Sequence, residues 1–351
     1  MATGPLDYSS GHAPAGGRFD WRAPLVQLGP LIGLVFVFCL FALLVQVVPG
    51  AQRFANAGNV ELMLRQTAVV GTAALGMTLI IISGGIDLSV AANVALSTVV
   101  VAQIMNAHGG HAPTLAALAG VGTSALCGLL IGLLVTGLRL PPFIVTLGTW
   151  GAYRGLAKGV ANNTYVYPSP VEDPDAWAST WLYGLTNTLP ESQRWMLLPV
   201  GVWVMIALAV LVAAVQRYTR FGRHVFAIGS NEQTARLCGV PVARTKVLIY
   251  TFAGALVGVA ALLRFSYTGA GDPVGMMGGE LDVIASVVIG GASLAGGQGS
   301  VLGTLVGALI ITMVANGCTK LGLPNWVQEI VTGGIIVFAV VLDRLRQRAG
   351  A

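Results

Sequence analysis

Asp87 is one of the few ionisable residues set deep in an apolar stretch of this chain. It sits in the run Ser83-Gly84-Gly85-Ile86-Asp87-Leu88-Ser89, with long uncharged stretches on either side. A carboxylate at the middle of a membrane costs on the order of 3 kcal/mol, so it needs a reason to be there. Two readings fit. Gly84-Gly85 breaks a helix and Asp87 caps the next one, or the carboxylate lines a path for a polar solute. A similar run, Val288-Ile289-Gly290-Gly291-Ala292-Ser293-Leu294, follows 206 residues after Gly84. Paired broken segments in two halves point to a transport pathway. Other chemistry is missing. There is no H-E-x-x-H zinc motif, and Gly291-Ala292-Ser293-Leu294-Ala295 fits a nucleophile elbow only in part. No G-x-x-x-x-G-K-[ST] phosphate loop occurs, so the chain carries no ATPase of its own. His12, His108, His111 and His224 are scattered and read as turn or surface residues. Cys39, Cys127, Cys238 and Cys318 show no metal-like spacing and read as reduced packing residues.

The elements that must hold these residues are membrane helices. Of the 351 residues 55% are hydrophobic and only 9% charged, against about 25% charged in an ordinary soluble domain. That excludes a disordered chain, a nucleic-acid-binding protein and an ordinary cytosolic enzyme. A span needs roughly 20 apolar residues. The runs give ten segments, at 25–48, 62–83, 86–106, 113–137, 141–160, 195–215, 246–265, 281–295, 300–318 and 325–342. The fold class is an all-α polytopic bundle with broken or re-entrant segments. Residues 141–160, with Arg154 and Lys158, and the short 281–295 are the two segments expected to tilt, kink or cross only part-way. Glycines at four-residue spacing let membrane helices pack backbone to backbone. They occur at Gly151/Gly155/Gly159, Gly299/Gly303/Gly307, Gly128/Gly132 and Gly254/Gly258.

Ten spans place both termini on one side. With the termini inside, 12 of the 19 Lys and Arg residues are cytoplasmic, as the positive-inside rule requires. The net charge of +5 thus records orientation and calls for no anionic partner. The domain plan is a disordered cytoplasmic tail at 1–24, one membrane domain at 25–345 and a short cytoplasmic tail at 346–351. The outer loop 161–194 carries Glu172, Asp173, Asp175 and Glu191. Its Trp177, Trp181 and Tyr183 suit the membrane interface. In the basic inner loop 216–245, Ser230 and Gln233 have capping-box spacing. Gly239 suits the position after a helix end and Pro241 prevents continuation. This predicts a two-turn helix over Asn231–Cys238, with an apolar patch of Ala235, Leu237 and Cys238. It packs structurally or acts as a knob inserted into another protein.

Four ordered segments resemble one family. They are Gly84-Gly85-Ile86-Asp87-Leu88-Ser89, the run Leu140-Pro141-Pro142-Phe143-Ile144-Val145-Thr146-Leu147-Gly148-Thr149, the inner loop from Gly222-Arg223 to Ser230-Asn231-Glu232 and Gly239-Val240, and Gly279-Glu280-Leu281-Asp282-Val283-Ile284-Ala285 continuing to Gly296-Gly297. Their order resembles the permease subunit of ribose/xylose/galactose-type ABC importers, over about residues 60–345. Ala91-Ala92 and Arg139 depart from the residues common there. The resemblance implies a bacterial inner-membrane protein, paired with a second permease copy or a sister permease. It implies a sugar-type ATPase subunit, which binds ATP and Mg, and a periplasmic sugar-binding protein; this chain needs no cofactor and no nucleic acid. It also makes the predicted short helix the coupling helix, with Gly229, Ser230, Asn231, Glu232, Gln233, Ala235, Arg236 and Gly239 as its coupling residues. Polar residues near the broken segments become pathway candidates: Ser83, Asp87, Thr146, Thr149, Asp282, Ser286, Ser293 and Gln298, with Phe143 as an aromatic face for a sugar ring. Permeases for nucleosides or branched-chain amino acids are the neighbouring alternative. An ion-coupled secondary transporter, using Asp87 and Asp282, and a non-transporting membrane scaffold are more distant ones.

Overall fold

A computed structural model describes residues 22–169, 173, 175–187 and 196–350. Glu172, Glu191, Arg194 and most of the N-terminal tail lie outside the described residues. Twelve helices are described: α1 Arg22–Val47, α2 Ala57–Ile82, α3 Val90–Ala107, α4 Pro113–Gly137, α5 Pro142–Val160, α6 Val200–Tyr218, α7 Arg220–Ser230, α8 Glu232–Leu237, α9 Val242–Thr268, α10 Gly279–Ile289, α11 Val301–Lys320 and α12 Asn325–Gly350. Seven of them, α1 from Gly29 together with α2, α3, α4, α6, α9 and α11, are long and apolar enough to cross a membrane. Among the described residues there is no strand, only an isolated bridge between Val166 and Gly271. Each of the ten expected segments contains a helix. α7 and α8 are the additional pair in the inner loop.

α2 forms the axis of the bundle. Leu75, Met77, Leu79, Ile80, Ile81 and Ile82 are fully buried, because α9, α10, α11 and α6 surround it. Hydrophobicity alone does not favour one helix partner over lipid, so polar contacts set the register. The Thr67 and Thr312 hydroxyls meet at 2.6 Å and those of Thr78 and Thr304 at 2.7 Å. Asn59 Nδ2 donates to Asn316 Oδ1 at 2.8 Å. These three contacts run along the α2–α11 seam.

Two of the glycine series form backbone seams within the chain. A Cβ at Gly128 would strike Tyr250, and one at Gly254 would strike the Ser124 carbonyl; α4 and α9 therefore touch along Gly128/Gly132 and Gly254/Gly258. The Ser124 hydroxyl also donates to the Gly254 carbonyl at 2.7 Å. Gly303 and Gly307 press likewise on Gly290 and Ser286, which joins α11 to α10. The third series differs from expectation. Gly151, Gly155 and Gly159 have no atom within 4 Å of where a Cβ would stand, because α5 lies at the edge of the bundle and turns this face outward.

α10 has 11 residues, about 16 Å of helix and too short to span. Non-helical backbone therefore enters the bundle at both its ends. Before α10, Arg154 of α5 donates to the carbonyls of Pro273 at 3.2 Å and Gly275 at 2.8 Å. With only 4% of its surface exposed, Arg154 supplies donors that water would otherwise provide. The outer loop also differs from expectation. Trp177 is buried, edge-on to Tyr183 at 4.8 Å and against Phe265 of α9 at 5.5 Å. These two aromatics anchor the loop to α9 rather than facing lipid, while Trp181 remains exposed. The cysteines divide similarly. Cys127 and Cys318 are buried, whereas Cys39 and Cys238 are exposed, and all four are free thiols.

Candidate coupling and translocation site

The inner loop folds into two helices in sequence. Thr219 starts α7 by accepting a hydrogen bond from the Gly222 N–H at 3.1 Å. Gly222, Val225 and Ile228 then bury one face. α8 follows at once. Its cap is Asn231, whose side chain accepts from the Thr234 N–H at 2.8 Å. The expected Ser230–Gln233 box does not form, because Ser230 is still the last residue of α7 and Asn231 holds the extended backbone a cap needs. Gly239 has φ 81°, the left-handed turn expected after the helix end.

Almost all of α8 faces outward. Only Ala235 is buried, in a small cluster with Ile228 and Val242. Gln233, Thr234, Arg236 and Cys238 are exposed, and Leu237 is 89% exposed. Glu232 fixes the helix in place. Its carboxylate meets Lys246 Nζ of α9 at 2.6 Å and Arg236 one turn on at 3.2 Å. The hydrogen bond from Lys246 holds the Glu232 carboxyl below the usual carboxylate range. Beside it, a cavity of about 750 Å³ opens between α8, the start of α9 and the α4–α5 turn. Arg139, Arg236, Arg244 and Lys246 line it against the single carboxylate of Glu232.

A glycine junction connects this end to the broken segments. Gly229, near the end of α7, lies so close to Ile82 and Gly297 that a Cβ would overlap the Ile82 carbonyl. The Gly297 N–H donates to that carbonyl at 2.8 Å. Gly296 in turn abuts Gly84, and Ser230 abuts Gly297. Three chain segments therefore meet backbone to backbone: the end of α7, the end of α2 and the 290–299 loop. Gly84 turns at φ 80°, which lets α2 stop there.

The predicted pathway residues fall into two groups. The first surrounds the two breaks, which meet at the glycine junction, beginning with the one after α2. Ser83 is buried and donates to the Ile80 carbonyl at 2.8 Å. Asp87 Oδ1 accepts from both the N–H and hydroxyl of Ser89 at 2.7 Å, forming the turn that leads into α3. Thr146 donates to the Ile86 carbonyl at 3.2 Å and Thr149 to the Thr146 carbonyl at 3.2 Å, so α5 braces the break. Phe143 is 51% exposed at the start of α5. In the second break the Ser293 N–H donates to the Gln298 carbonyl at 3.1 Å, and the Ser293 hydroxyl accepts from the Ala295 N–H at 3.2 Å. Asp87 and Ser293, 206 residues apart, thus hold matching side-chain turns. The second group is Asp282 and Ser286 on α10, where Ser286 donates to the Asp282 carbonyl at 2.7 Å.

Two participants have no sequence signal of their own, and a third was overlooked. Lys246 lies 14 residues from Glu232, outside any helical pairing distance. Tyr250 sits inside an apolar span, yet its hydroxyl is buried beside Gly85 without a partner among the described residues. α7 was legible in principle, since Thr219 followed by Phe221, Val225 and Ile228 has a capped helical period.

The chain is similar to other permeases over nearly its whole length. It is 37% identical over 319 residues to the probable ABC transporter permease protein YphD of Escherichia coli (strain K12), covering 91% of this chain and 90% of the relative. It is 36% identical over 327 residues to the ribose import permease protein RbsC of Bacillus subtilis (strain 168), covering 93% and 95%. It is 33% identical over 326 residues to the fructose import permease protein FrcC of Rhizobium meliloti, covering 92% and 86%. Residues 59–340 match the family model described as branched-chain amino acid transport system / permease component. The breaks, the junction and the outward-facing α8 all lie within that match, and the chain belongs to this family of ABC transporter permeases.

Proposed function

We propose that this chain is the permease of an ABC importer that moves a monosaccharide of the pentose or hexose class. A binding protein outside the cell delivers the sugar, and a separate ATPase subunit that binds ATP and Mg drives the cycle. The observation that carries the reading is α8, a capped helix tied down by Glu232–Lys246 with a bare Leu237 at its end. Such an apolar residue is suited to a cleft in a partner, and the basic cavity beside it suits an acidic rim. Sugar rather than amino acid as cargo is supported by the ribose and fructose permeases among the relatives.

In this mechanism ATP-driven closure of the ATPase pushes α8. The motion passes through α7 to the glycine junction, where no side chains can absorb it, and so reaches both broken segments together. Sugar passes along the face that pairs with a second permease copy. The unpartnered glycines of α5, with exposed Phe143, Ile144 and Leu147, supply that face. Both termini lie in the cytoplasm of a bacterial cell whose inner membrane holds the complex. Substituting Glu232 and Arg236 together uncouples ATP hydrolysis from uptake while membrane insertion is retained. Wild-type coupled uptake from that double variant contradicts the role given to α8. The family description keeps branched-chain amino acids as the second reading. Competition of uptake by leucine against pentoses and hexoses separates the two.

A further inference from the structure

At the end of the bundle opposite α8, a cavity of about 460 Å³ lies between α2, α9, α10 and α11. A second, of about 730 Å³, adjoins it under α12, and the two share Arg264, Asp282 and Gln328. Among the described residues neither the Arg264 nor the Asp282 side chain has a hydrogen bond or ion pair, and Arg264 Nε is buried without any partner. A guanidinium and a carboxylate that line one cavity without pairing are costly unless something else satisfies them.

The chemistry of the walls selects what that is. Across the two joined cavities Arg264 and Lys320 balance Asp282 and Glu329, so the space favours a ligand with no net charge. Guanidinium offers a fork of donors and carboxylate offers acceptors only. A hydroxyl can accept from the first while its neighbour donates to the second, so adjacent hydroxyls of a sugar ring meet both. The Gln328 amide adds a donor and an acceptor, and Val69 and Val70 present apolar surface to the C–H face of the ring. A zwitterionic amino acid could pair with the two charges, but would leave the Gln328 amide unused.

We propose that this cavity is a seat for a monosaccharide inside one permease chain, with Arg264 and Asp282 holding adjacent hydroxyls. The proposal rests on the sugar-import reading above and gives it a location. It places the sugar within a protomer before the path between the two copies.

The test uses the complete importer, with permease, ATPase and binding protein, in liposomes. Uptake of radiolabelled D-ribose, D-xylose, L-arabinose and D-fructose is measured for the wild type, Arg264→Gln, Asp282→Asn and the double variant. Arg53→Gln, exposed at the same end and outside both cavities, is the control. The expected result is a loss of about tenfold in uptake kcat/KM in each single variant, the scale of one lost charge-assisted hydrogen bond. The double variant should fall little further, since both grip one ligand. ATP hydrolysis stimulated by the loaded binding protein should be unchanged, as should the control. Val70→Trp, which fills the cavity from α2, should reproduce the loss even if a charge variant folds poorly. Unchanged sugar uptake in Val70→Trp and the charge variants overturns the seat, as does an equal fall in stimulated ATP hydrolysis. A wild type that moves leucine and no sugar overturns the sugar reading itself.

Discussion

Glu232 is the residue on which the attachment of α8 turns. Its carboxyl is held below the ordinary range by Lys246, so the tie is fully formed above the unfolded-state value of about 4.3 and is lost only as pH falls through the lower, folded value. Glu232→Gln should therefore weaken hydrogen-exchange protection of α8 at pH 7, with wild type and variant converging only once the pH falls below the lowered folded-state value. Equal protection at pH 7 would refute the tie. Arg154 makes a different prediction. Arg154→Met strands the Pro273 and Gly275 carbonyls, each costing about 1–3 kcal/mol when buried without a donor. A clear fall in thermal stability in detergent is expected, whereas Lys158→Met, at a half-buried position on the same helix that braces no loop carbonyl, should leave it nearly unchanged. At this scale the sequence was only partly legible. The Gly239 end followed from local residue chemistry; Asp87 does not cap α3 as expected, because Ser89 holds the cap position and Asp87 bonds Ser89 instead. Lys246, Tyr250 and Arg264 were not legible, because their roles depend on neighbours far away in the chain.

Helices and their seams were more legible than single residues. Apolar length located the ten segments, since a bilayer imposes it. The shortness of α10 followed from the few apolar residues before Gly290. Glycine spacing marked faces that meet at the α4–α9 and α10–α11 seams, but spacing alone names neither the partner helix nor whether it belongs to the same chain, and the α5 series has none among the described residues. Gly254→Leu should cost roughly 1–3 kcal/mol by overpacking the α4–α9 seam, read as a lowered melting temperature. Gly155→Leu, with open space around it, should leave the isolated chain as stable as the wild type but impair pairing of copies. At the junction, Gly229→Ala forces α7 off the Ile82 carbonyl. ATP hydrolysis should continue while uptake per ATP falls several-fold, and an unchanged ratio would remove the junction from the coupling route.

At the scale of the whole molecule, an outward-facing capped helix lies at one end of the bundle and a polar cavity at the other. Low overall charge was visible in composition, because lipid excludes charge from spans. The internal link was not, because it is made of backbone contacts among glycines distant in sequence. The central claim is ATP-driven sugar import through this chain. Its most direct measurement is uptake into proteoliposomes holding the purified permease and ATPase, with the binding protein added outside. Monosaccharide uptake that needs both ATP and binding protein and is not competed by leucine is the expected result. Uptake by the permease alone, driven by an ion gradient without ATP, would contradict it.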